Sequence, residues 1–289
     1  MTALCKRCLK LYFRDRGAVF FSLLAVFIVF ALHIFFLGNV YSSSLASEQI
    51  GEAERLIDCW TMAGLIAVAS LNTTMGAIDI MVADRESGVR RDFYITPMRR
   101  GGILGGYLFS TFAIGVIMSL LTTAAAFVYL IARGLPAEAL LTAGRLGRIF
   151  LILLCTTLSG TAMLLFLSCL LPSRKSFSAA GTVIGTLSGF LTGVYLPMGE
   201  LPQGVQTVIK LFPTAHGAAL LRQELMDYQY GVSLAGLPEM VQTELDQILG
   251  VRFFFGDAAL PQWGYWTFLL GTTALFFLCC LPFIARRER

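Results

Sequence analysis

Six long stretches of the chain carry almost no charge, at about residues 17–37, 59–82, 103–132, 149–171, 177–198 and 263–285. Each has the length of a membrane crossing, which takes ~20 mostly apolar residues. A charge at mid-bilayer costs about 2.5–3.5 kcal/mol even on a lenient scale, so uncharged runs locate spans. The third would be ~45 Å long as a straight helix, more than the ~30 Å hydrocarbon core, and has to tilt or project beyond it. The pattern changes between the runs. In residues 1–16, Leu4, Cys8, Leu11 and Tyr12 share one helical face and Lys6, Lys10 and Arg14 another, which is the signature of a helix lying in the membrane interface; a frayed basic tail is the alternative. Residues 200–262 are only partly apolar. Pro197, Pro202 and Pro213 bracket 205–212, too short to span, which reads as a re-entrant or interfacial helix. Residues 218–250 read as helical and acidic, broken by Gly231, Gly236 and Pro238.

Composition turns these runs into a class. The 289 residues are 56% apolar and 14% charged, against roughly 45–50% and 25% in soluble domains, which makes this a membrane protein. Of 22 Lys and Arg, 15 gather on one side of the six runs: five in residues 1–16, five in 83–102, two at 174–175 and three after 285. That side is cytoplasmic by the positive-inside rule. Both termini then face the cytoplasm and Trp263, Tyr265 and Trp266 form an outer aromatic belt. Residues 1–16 are not a signal peptide, since a span-length run follows without a small-residue cleavage site.

Several chemistries are poorly supplied. A net charge of +4, with the basic residues dispersed, does not suit nucleic acid. Seven cysteines give no disulfide framework. Cys5-x-x-Cys8 lacks a second pair, and two histidines offer little for a metal site. None of the four lysines stands in a phosphate-binding loop, and neither H-E-x-x-H nor a Ser/His pair is present, so no catalytic residue is expected and any ATPase would be a separate chain.

Three constellations remain. The charged loop after the second run holds Arg85, Glu86, Val89, Arg90, Phe93 and Tyr94. Glu86 precedes Arg90 by four residues, Val89 and Phe93 share a stripe beside Tyr94, and Pro97 stops the helix. This is either a short helix that docks another protein or a solvated basic loop. In the fifth run Gly181, Gly185, Gly189 and Gly193 recur every four residues. Small residues at that spacing let helices approach closely in lipid, between two copies or within one. Polar residues inside the runs, Asn72 and Thr73 with Thr74, and Ser178, Thr182 and Thr186, mark a cargo route or bond back to their own helix carbonyls. Asp79 is the only acid well inside a run, which leaves ion coupling through a buried carboxylate little to draw on.

Taken in order, the amphipathic N-terminal helix, the loop Arg-Glu-x-Gly-x-x-Arg-x-x-x-x-x-x-Pro from Arg85 to Pro97, the Gly-rich fifth run followed by Tyr195-Leu-Pro197, and Phe212-Pro213 followed by Leu220-Leu-Arg222 resemble the membrane subunit of type 2 ATP-binding-cassette (ABC) exporters. The resemblance covers nearly the whole chain. It implies an all-α integral membrane protein of the cell membrane, one transmembrane domain over 1–289, with six transmembrane helices. Within it lie an elbow helix at 1–16, a coupling-helix loop at 83–102 and a re-entrant plus extracellular segment at 199–262. It implies a homodimer, or a heterodimer with a second permease, meeting through the first and fifth spans. Two cytosolic ATPase subunits would grip the coupling loop and hold the ATP and Mg, with no cofactor bound by this chain. Alternating access would move drug-, peptide- or lipid-like cargo outward. A polysaccharide-exporting permease, a secondary transporter or channel without ATPase, and a non-transporting scaffold or immunity protein are the alternatives.

Overall fold

The computed structural model describes residues 2–38, 40, 41, 43, 50, 52–95, 100–171, 173–256 and 258–286, and among them the fold is almost wholly helical. Helix α1 (Thr2–Arg14) is followed by α2 (Arg16–Leu32), which passes into a π-helical stretch, His33–Leu37. Asp15 caps α2, its carboxylate accepting the Ala18 N–H at 2.9 Å, which satisfies one of the orphan donors of a helix start. Then come α3 (Ala53–Glu86), α4 (Val89–Tyr94), α5 (Arg100–Ala132), α6 (Ala137–Leu140), α7 (Ala143–Leu170), α8 (Arg174–Leu191), α9 (Gln203–Leu211), α10 (Pro213–Ser233) and α11 (Glu239–Ile248). A two-residue antiparallel ladder, β1 (Phe254–Phe255) with β2 (Ala258–Ala259), precedes α12 (Gln262–Arg286).

Among the described residues, α3, α5, α7 and α12 are long and apolar enough to cross a bilayer, and the α2 run, bent by 42°, makes a fifth if counted as one broken span. The expected fifth crossing at 177–198 is shorter than its uncharged run. The α8 helix stops at Leu191, giving ~27 Å at 1.5 Å per residue, and its glycines and hydroxyls dilute the apolar character. Its end is a Schellman turn, in which Val194 N–H bonds Gly189 O at 2.8 Å and Gly193 N–H bonds Phe190 O at 3.0 Å. Gly193 has φ +67°, a conformation that glycine takes without a Cβ penalty. It therefore ends the helix instead of extending the glycine ridge.

Helix α3 is the hub and packs on α2, α5, α7, α8 and α10. It is buried without interruption from Leu56 to Thr74, as suits a helix apolar all round. Small residues set its close crossings. A Cβ added to Gly64 would lie 2.2 Å from Val194 Cγ2, and one added to Gly115 of α5 would lie 2.4 Å from Thr74 Oγ1.

The segment expected to re-enter the membrane differs from its sequence reading. Helix α9 buries only Ile209, while α10, opened by Pro213 at its first turn, enters the core and packs on α3, α7 and α12. Gly231 lies inside α10, and the break comes at Gly236, with φ +85°, and Pro238. Arg222 of α10 is fully enclosed. Its Nη2 donates to the carbonyls of Thr192 at 2.8 Å and Gly193 at 2.9 Å, and its Nη1 to that of Gly250 at 3.4 Å. The guanidinium lies 5.0 Å from the Trp60 ring centroid, and Trp60 Nε1–H donates to Leu249 O at 2.7 Å. One side chain thus ties the end of α8 to α3, α10 and the turn after α11. In the expected aromatic belt Trp263 is exposed, but Tyr265 is buried and its hydroxyl accepts the Phe253 N–H at 2.7 Å.

Arg222→Ala strands these carbonyls without donors. At about 1–3 kcal/mol per unsatisfied buried group, unfolding of the purified protein in denaturant should show a loss on the order of 3 kcal/mol. Arg222→Lys should recover little, because one ammonium does not span carbonyls on both α8 and the Gly250 turn. A wild-type midpoint for Arg222→Ala would refute the tie.

Candidate functional site

At the end of the bundle bearing α1, charges are used mainly within the chain. Arg7 grips Asp84 through both oxygens, Nη1 to Oδ2 at 2.6 Å and Nη2 to Oδ1 at 3.1 Å, and the Tyr107 hydroxyl donates to Oδ2 at 2.7 Å. This bidentate hydrogen bond raises the Arg7 pKa further. Arg7 also lies 5.6 Å from the Phe93 ring centroid, so Phe93, expected on an outward aromatic face, is turned toward α1 and half-buried. Arg85 donates to the carbonyls of Ser168 at 2.7 Å and Leu171 at 2.9 Å. A cation there meets the orphan carbonyls and negative dipole end of α7, which makes Arg85 a clasp between helices and not a side chain held out for a partner.

Gly88, at φ +84°, puts Glu86 on α3 and Arg90 on α4, so the two do not share one helix as their spacing assumed. Val89 and Arg90 are half-buried, and Glu86 is exposed. The Tyr94 side chain and residues 96–99, with Pro97, lie outside the described residues. Glu86 Oε1 accepts the backbone N–H of Arg174 at 3.3 Å. The Arg174 side chain reaches Asp79, Nε to both oxygens at 3.2 Å and Nη2 to Oδ2 at 2.6 Å.

Above this pair an open cleft of about 810 Å³ lies between α2 and α8 with α3 as its floor, within the size of small-molecule sites. It brings together Asn72, Ser178, Thr182 and Thr186 with Asp79, against Phe21, Leu24, Ile28, Phe177 and Tyr195. Thr73 does not join them. It is fully buried and donates to Ala69 O at 2.7 Å. Thr182 and Thr186 also donate back, to the carbonyls of Ser178 at 3.1 Å and Thr182 at 2.9 Å, so their oxygens remain to the cleft only as acceptors. Asn72 is nine-tenths buried, and its Oδ1 has no hydrogen-bond partner.

The glycine ridge is occupied within the chain. A Cβ on Gly181 would meet Met75 Sδ at 2.7 Å, one on Gly185 would meet Asn72 Oδ1 at 3.5 Å, and one on Gly189 would sit 2.2 Å from the Tyr195 ring. What α8 leaves exposed is the neighbouring stripe of Thr182, Val183, Thr186, Leu187 and Phe190.

A buried polar cluster at the opposite end escaped the sequence reading. Asp58, 2% exposed, is hydrogen-bonded to His33 Nε2 at 2.7 Å and accepts from the Tyr129 hydroxyl at 3.1 Å and Arg133 Nε at 2.9 Å; Arg133 Nη2 donates to Glu54 at 3.1 Å. The available signal was the Glu54–Asp58 spacing of four beside a histidine inside an apolar run. Near it, Gln229 is buried and donates to Glu52 at 2.9 Å, which helps hold the Glu52 carboxyl below its ordinary range. Among the described residues no three His, Cys, Asp or Glu side chains converge as metal ligands.

In comparisons with known proteins, the family described as ABC-2 type transporter matches residues 1–226. No match is found among curated proteins.

Because Gly189 faces a ring of its own chain, Gly189→Ala should cost about 1–3 kcal/mol of stability through overpacking. Gly185→Ala, with ordinary contact distance to spare, should leave the unfolding midpoint unchanged. Equal effects of the two in denaturant unfolding would contradict this packing.

Proposed function

The chain belongs to the ABC-2 type transporter family and is a multi-pass membrane permease, and from that premise we propose that it is the permease subunit of an ATP-driven exporter. In this reading α2, α3, α5, α7, α8 and α12 cross the membrane, α1 is the elbow helix, and α9 with α10 re-enters from outside. Both termini are cytoplasmic, which the 15 of 22 basic residues on one side support. Two copies, or this chain and a related permease, assemble with two cytosolic ATPase subunits that hold ATP and Mg. The exposed α8 stripe, not the glycine ridge, is the surface of α8 offered to a second permease across the cargo route. The cargo is drug-, peptide- or lipid-like.

The observation that carries the reading is that the 84–95 loop is joined by side chains to the helices around the cleft. An ATPase seated on α4 and Glu86 moves the end of α3. The Arg85 clasp carries that displacement to α7, and the Glu86 contact carries it to the start of α8. Arg7 on Asp84 makes α1 move with them. The wall and floor of the cleft are then displaced together, which is what alternating access needs from the coupling end.

Two experiments test this. With the partner ATPase co-expressed, Glu86→Ala should lower cargo-stimulated ATP turnover ~5-fold, the scale of a lost coupling free energy of about 1 kcal/mol, with co-purification intact. Phe93→Ala should instead loosen α1. Undiminished stimulation in Glu86→Ala removes that residue from coupling. For orientation, Met240→Cys in a cysteine-free background, 78% exposed on α11, should react with an impermeant thiol reagent on intact cells. Labelling only after permeabilisation would invert the topology.

A further inference from the structure

Of the residues lining the cleft between α2 and α8, Asp79 alone bears a carboxyl group, and it lies about two helical turns from Asn72. Several of the hydrogen-bonding groups around it are left as acceptors, although the Asn72 amide nitrogen and the Ser178 and Tyr195 hydroxyls can still donate. Thr182 and Thr186 have committed their protons to α8 carbonyls, Ser22 has donated its own to Val19 O at 2.8 Å, and Asn72 Oδ1 accepts nothing. The remaining wall is aliphatic and aromatic. Such a lining suits an apolar body carrying N–H donors and positive charge, because buried acceptors and a carboxylate are satisfied by donors and cations. An anion entering it would meet the carboxylate of Asp79, the one charged side chain of the lining. Asp79 is meanwhile held by Arg174, which is not among the lining residues and whose side chain is half exposed at 51%; the guanidinium reaches the carboxylate from the rim.

We propose that Asp79 is the charge-selecting residue of the cleft and that the cargo is an amphipathic amine, an ammonium or guanidinium group on an aromatic or alkyl body, with Arg174 the place-holder that the amine displaces. This rests on the cleft being the cargo route. Displacement frees the side chain of the residue whose backbone N–H meets Glu86, so occupancy of the cleft is felt at the coupling loop.

The test uses the full chain in phosphatidylcholine nanodiscs, titrated with dansylcadaverine, a fluorescent primary ammonium, and with its neutral N-acetyl derivative. Wild type should prefer the amine about tenfold, the scale of one partly buried ion pair. Asp79→Asn should abolish the preference and Asp79→Glu should keep it. Arg174→Gln should tighten the amine several-fold and leave the acetylated probe unchanged. Equal binding of the two probes by wild type, or a preference that survives Asp79→Asn, overturns the proposal. A fall in amine affinity in Arg174→Gln matching that in Asp79→Asn makes the pair a structural tie and overturns it as well. Thr182→Trp fills the cleft and should remove both probes. If both still bind that variant as tightly as wild type, the cleft is not the route, and the transport reading of the site falls together with charge selection.

Discussion

Arg222 fixes where α8, one wall of the cleft, ends against α3, its floor. An arginine enclosed in a helical core has to find acceptors for its guanidinium N–H groups or carry a desolvation penalty of several kcal/mol, and here it finds carbonyl oxygens and an indole face instead of a carboxylate. The carbonyls of Thr192 and Gly193 are free to accept because α8 ends there, and that of Gly250 because a turn follows α11. Removing α8 from its stop would leave the guanidinium short of partners, and removing the guanidinium would leave the carbonyls short of donors. The two requirements fix where α8 ends relative to α3. From that point its glycines fall against Met75, Asn72 and Tyr195, and its hydroxyl stripe becomes one wall of the cleft.

The same logic of orphan carbonyls governs the opposite end. Arg85 supplies donors to the C-terminus of α7 much as Arg222 does for α8, and both sit where the helix dipole is negative. Ion pairs are added where water reaches. Arg7 with Asp84 and Arg174 with Asp79 are partly exposed, where a pair is weak enough to exchange. Helix ends are thereby held firmly, while the pairs beside the 84–95 loop and the cleft are the ones that can be traded. That division suits the proposed joint displacement of α3, α7 and α8.

Many hydroxyls deep in the bundle are satisfied locally. Threonines of α3, α5 and α8 return their protons to carbonyls four residues back. The oxygens of Thr182 and Thr186, which line the cleft, are left to it as acceptors. The His33–Asp58–Arg133 cluster solves the opposite problem, a full carboxylate buried at a helix start, by drawing donors from two other helices.

The apolar runs, the amphipathic first helix, the stop near Pro213 and the presence of a charged loop were legible from the chain because each rests on a cost that a residue carries by itself: the desolvation of a charge, the missing donor of a proline, the two faces of a helix. Membership of the permease family came through the order of these same features. Asp58 gave no such signal, since its partners lie 25 and 75 residues away. Gly193 continues the spacing of Gly189 and differs only in φ. Phe93 and Arg85 look like docking residues until α1 and the end of α7 arrive beside them. Which segments are apolar enough to enter a membrane was thus decided by sequence, through transfer costs that hold in any fold. Which partner each buried donor and acceptor meets, where α8 stops, and which acid lies at the cleft were decided only by tertiary structure, because a hydrogen bond exists only where distant segments are brought within about 3 Å of each other.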